Sequence, residues 1–153
     1  MNWTELLKSE VESSYKAAGK LMDKVGADTL EWKPATGENW MTVGQLLKHI
    51  SDACGTPAKG FVTGDWGMPE GMKVEDLSPE QMLPPAGKMP AIGSVDEAKR
   101  LLAEDKVLTL RMIDEAGEDA LANRQVASAF RSLSNGQDYL DYLLNISKSE
   151  DGD

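Results

Sequence analysis

Apolar side chains return every three or four positions in four stretches of the chain, the period of a helix that buries one face. The first stretch predicts a helix over residues 4–25. Trp3, Leu6, Leu7, Ala17, Ala18, Leu21 and Val25 share its apolar face, and Gly26 stops it. Residues 27–41 read as a structured turn, because Pro34 cannot continue a helix, and Trp32 and Trp40 flank a polar patch there. Thr42 is the expected N-cap of a second helix, with Gln45 as its capping-box partner. This helix is expected to reach about Ala58, with Val43, Leu46, Leu47, Ile50, Ala53 and Cys54 facing inward.

From Gly60 to Gly93 glycine, proline and methionine dominate, and no long helix fits. A connection of this length in a small domain is commonly a crossover, a lid or a binding loop. Met68, Met72, Met82, Leu83 and Met89 predict that it packs on the helices. Ser94 with Glu97 forms a second capping box, opening a third helix that ends at Gly117. A fourth is expected to start between Glu118 and Ala122 and to end near Ile146, leaving residues 147–153 as a frayed polar tail. The fold class is therefore all-α. Residues 1–146 are expected to form a single four-helix bundle with a long crossover between helices two and three.

Several polar residues interrupt the apolar stripes when each helix is turned by ~100° per residue. Glu10 and Ser14 fall near the centre of the first stripe, and His49 falls at the edge of the second. Asp105 lies among Leu101, Leu102, Leu108 and Met112 on the third. On the fourth, the stripe is Val126, Ala129, Phe130, Leu133, Leu140 and Leu144, with Gln137 inside it and Ser134 at its flank. All lie near the middle of their helices, so Glu10, His49, Asp105, Ser134 and Gln137 are expected to converge on one interior layer, and Trp40 joins them as a candidate wall. Three readings are open. The layer is a register-fixing set of hydrogen-bonded pairs, because buried carboxylates need partners. It is a pocket for a small polar ligand. Or it is a metal site of one histidine and two carboxylates.

Composition narrows the chemistry. The chain has 16 Lys and Arg against 26 Asp and Glu, a net charge of −10. Nucleic-acid affinity rests on neutralising phosphates with cations, and no basic run is present, so direct nucleic-acid binding is not expected. No apolar run approaches the ~20 residues that span a bilayer, and the N-terminus enters an amphipathic pattern rather than a signal peptide. A cytoplasmic protein without membrane association is expected. One cysteine, Cys54, precludes an internal disulfide and reads as a small core residue rather than a nucleophile. One histidine and one cysteine exclude a structural zinc site. No nucleophile elbow, P-loop or dinucleotide-binding glycine motif occurs, so no catalytic residues are assigned.

Two stretches carry a resemblance. The first is Leu30-Glu31-Trp32-Lys33-Pro34 followed by Met41-Thr42-Val43-Gly44-Gln45-Leu46-Leu47-Lys48-His49-Ile50. The second is Ser134-Asn135-Gly136-Gln137 followed by Tyr142-Leu143. In this order, and with the long crossover between them, they resemble the DinB/YfiT-like family of four-helix bundles. Its patterns are W-x-P, a short loop, a helix and a histidine, then H-x-x-x-H-x-G-Q with Y-L after it. Many members hold a divalent metal, zinc or nickel, with three histidines. The resemblance puts the first ligand on His49 and the other two on Phe130 and Ser134, neither of which is a usual ligand, so the site is degenerate and no cofactor is expected. It further implies a homodimer and a stress- or damage-associated role. The non-catalytic reading has a small-ligand pocket at the polar layer. The alternative is a thiol-dependent S-transferase or hydrolase using His49 with Glu10 or Asp105, with or without metal.

Overall fold

A computed structural model of the protein describes residues 2–73, 76–78, 81 and 84–123, which are helical with no strand among them. Helix α1 spans Trp3–Met22, opened by Asn2, whose side-chain oxygen accepts the Glu5 N–H at 3.0 Å. Helices α2 (Val43–Ser51), α3 (Gly55–Thr63) and α4 (Val95–Asn123) follow. Short 3₁₀ turns lie at Ala27–Thr29 and Ala86–Lys88.

The second helix departs from expectation: it is two helices, not one running to Ala58. Pro57 is the cause. It has no N–H, and its ring collides with the carbonyl four residues earlier in a continuous helix. The backbone leaves helical geometry at Asp52 (φ −141°), and α3 starts at Gly55, which leaves Pro57 in a first turn, where its missing N–H does no harm. Helix α3 then runs into the stretch expected to be loop and stops at Gly64, in the left-handed conformation (φ 76°) that favours glycine. Cys54, expected inside, is the exposed N-cap of α3.

The Thr42 capping box forms in full, and the Ser94 box forms in one arm, with Glu97 reaching one residue further back. Thr42 Oγ1 accepts the Gln45 N–H, and the Gln45 side chain accepts the Thr42 N–H. Ser94 Oγ accepts the Glu97 N–H, while the Glu97 carboxylate reaches back to the Gly93 N–H. Helix α4 breaks at Gly117 (φ 71°, ψ 165°), where the third helix was expected to end, and helical backbone resumes to Asn123. The rest of the expected fourth helix, including Phe130, Ser134 and Gln137, and the tail at 147–153 lie outside the described residues.

Helix α1 packs antiparallel on α4. Ion pairs join Lys8 to Asp114, Glu12 to Lys106 and Asp23 to Lys99, so position rises on one helix as it falls on the other. The core between them holds Tyr15, Met22, Ala98 and Leu102, closed by Leu47 of α2 and Ile92. Ser51 is fully buried, and its hydroxyl donates to the carbonyls of Leu47 and, across the interface, Ala98, which brings α2 close to α4. The end of the crossover lies on the helices, as its composition predicts. The Gln45 amide donates to the carbonyls of Ala86 and Met89, and Asn39 accepts the Ala86 N–H. Met68 and Met89 are half-buried and Met72 is exposed; Met82 and Leu83 lie outside the described residues.

Candidate functional site

Of the five residues expected to converge, Ser134 and Gln137 lie outside the described residues, and of the other three only Asp105 is inside, at 7% exposure. Its carboxylate receives the Tyr15 hydroxyl at 2.5 Å, the Gly55 N–H at 2.8 Å and the Cys54 N–H at 3.3 Å. The Thr109 hydroxyl lies 3.0 Å from the Tyr15 oxygen and donates to the Asp105 carbonyl. The arrangement follows from the α2–α3 break. A helix start leaves backbone N–H groups without partners, and a carboxylate aimed at them satisfies both the hydrogen bonds and the positive end of the helix. Asp105 thus caps α3 from the neighbouring helix. Burial, reinforced by the Asp105 carboxylate, holds the Tyr15 hydroxyl well above its ordinary pKa, so Tyr15 is a standing donor. Gly55 makes room for the carboxylate, since a Cβ there would lie 2.6 Å from the Asp105 oxygen.

Glu118 does the same for α1. Its carboxylate accepts the N–H groups of Trp3 and Thr4, each at 2.9 Å, and these bonds hold it below the usual glutamate range. Both α3 and α1 are therefore opened by carboxylates carried on α4.

Glu10 and His49 are exposed, as is Ser14. Among the described residues, neither Glu10 nor His49 hydrogen-bonds to Asp105. Their surroundings have a pattern nonetheless. Along α1, the face of Glu10 also carries Leu6, Ala17 and Leu21, and Leu6 is 40% and Leu21 68% exposed. On α2, His49 stands one turn from Leu46, 48% exposed, and the exposed Ala53 lies beyond the helix's end at Ser51. All of these, Glu10 and His49 included, were expected inside. The core uses instead the adjacent stripes Val11, Tyr15, Ala18, Met22 and Val43, Leu47, Ile50. Burial of the second stripe leaves the first uncovered on both helices.

Trp40 does not close this region into a cavity. It is half exposed, and its indole N–H donates to the Thr36 carbonyl within its own loop, over Gly37. Tyr15 was not singled out from the sequence. The signal was present: Val11, Tyr15, Ala18 and Met22 are spaced four, three and four apart, and a buried tyrosine needs a partner for its hydroxyl. Glu118 was read only as a helix start.

Among the described residues, no three His, Cys, Asp or Glu side chains come together as a metal ion needs. His49 is the chain's only histidine, so its residues do not fit a three-histidine metal ion. No helix among the described residues is long and apolar enough to cross a membrane. The chain has no significant match to any protein-family model, curated protein or solved structure.

Proposed function

We propose that the protein is a DinB/YfiT-like four-helix bundle that binds a small polar ligand without a metal, at a site on the His49 face of α2 closed by Ser134 and Gln137 of the fourth helix. The observation that carries this reading is the pair of uncovered faces. On α1 Glu10 stands among exposed leucine and alanine, and on α2 His49 stands beside exposed Leu46. Exposed apolar stripes of this kind favour a covering partner. The apolar stripe from Val126 to Leu144 has the period of a helix and supplies one from the same chain.

In this reading the protein is cytoplasmic, forms a homodimer as members of the resembled family do, and serves a stress- or damage-associated role. The transferase or hydrolase alternative has less support, because Asp105 is committed to Tyr15 and the start of α3, and Glu10 lies between the Lys8–Asp114 and Glu12–Lys106 pairs while the end of α2 that carries His49 lies at Ala98. Metal analysis of the purified full chain tests the proposal. Less than a tenth of an equivalent of zinc or nickel is expected, as only one imidazole ligand remains. A full equivalent, lost in His49→Ala, would overturn it and restore the enzyme reading.

A further inference from the structure

On the far side of α1 from Glu10, an open groove of about 710 Å³ runs between α1 and α4. Gly19 follows Glu10 by nine residues, about 180° around the helix at ~100° per residue, so this groove is separate from the faces described above. Its floor is Tyr15 and Leu102, both buried. Small residues keep it open: a Cβ built on Gly19 meets nothing within 4 Å, and Ala103 lies on the α4 side.

The rim is cationic, although the chain is strongly acidic. Lys16, Lys99 and Lys106 line the groove against a single carboxylate, Glu12. Two of these ammonium groups are held in place from α1, Lys106 by Glu12 at 2.9 Å and Lys99 by Asp23 at 2.5 Å. Among the described residues, Lys16 has no carboxylate partner. An apolar floor below a cationic rim selects a molecule with an apolar body and an anionic head, since the body removes apolar surface from water and the head meets a charge at short range.

We propose that the α1–α4 groove binds a small amphipathic carboxylate, its chain on Tyr15 and Leu102 and its carboxylate at Lys16. The full chain titrated with octanoate, followed by calorimetry or amide chemical shifts, tests this. Saturable binding with a dissociation constant of ~1 mM or tighter is expected for a ligand of that size. Gly19→Leu, whose Cβ enters open space, puts a side chain into the groove, and Lys16→Glu reverses the rim charge; each should weaken binding by about tenfold or more. Val107→Ser, at an exposed position of α4, should leave it unchanged. The proposal is overturned if octanoate does not saturate, if octanol binds as tightly as octanoate, or if folded Gly19→Leu and Lys16→Glu bind octanoate as the native chain does.

Discussion

Asp105 shows what a single buried carboxylate does when three donors converge on it. The helical wheel put this residue inside, and it is inside. Its partners were not legible, because a wheel assigns a face and not a neighbour. The neighbour depends on the chain break before Pro57, which turns Cys54 and Gly55 into a helix start beneath the carboxylate. Asp105→Ala leaves the Tyr15 hydroxyl and the Gly55 N–H without their acceptor, and is expected to destabilise the fold by ~3 kcal/mol. Gly55→Ala drives a Cβ into the same carboxylate and should cost ~2 kcal/mol as an overpacked contact. Urea unfolding of the two variants and their double mutant checks the coupling. Costs well below additive are expected, because both changes break one arrangement.

At the level of elements, the sequence carried most of the information where caps and breakers act locally. Thr42 with Gln45, Ser94 with Glu97, and Gly117 each fall where the side-chain and backbone chemistry requires. The second helix was misjudged because its inward face reads continuously through Cys54, while Pro57, placed after that face, decides where the helix must stop. Between elements, α4 supplies the caps of both α1 and α3. The Glu118 cap has a pH signature. The bonds from Thr4 and Trp3 lower its folded-state pKa below the ordinary value of 4.5. The stability it contributes is thus fully present above the unfolded value and is lost as pH falls through the folded one. Glu118→Gln should lower the melting temperature at pH 7, and the gap from the native protein should close as the pH is taken from about 5 to 3. A gap constant with pH would show that the carboxylate's charge is not what holds the start of α1.

At the scale of the whole molecule, α1, α2 and α3 gather on α4, and among the described residues nothing covers the stripes of α1 and α2 that carry Glu10 and His49. The expected single polar layer divides into two: Asp105 belongs to the α3 cap, while Glu10 and His49 stand on the open faces. Half of each stripe was legible as buried and the other half was not, because both helices carry two adjacent apolar stripes and the pattern alone does not rank them. The central claim is that Ser134 and Gln137 close over His49. As the chain's only histidine, His49 gives one set of imidazole resonances that need no assignment among competitors. Its ring signals, recorded at fixed pH in the full chain and in Ser134→Ala and Gln137→Ala, test the claim most directly. Both substitutions should shift these signals while the overall amide spectrum is preserved; ring signals unchanged in both variants, at the positions of a freely solvated imidazole, would rule out closure over His49.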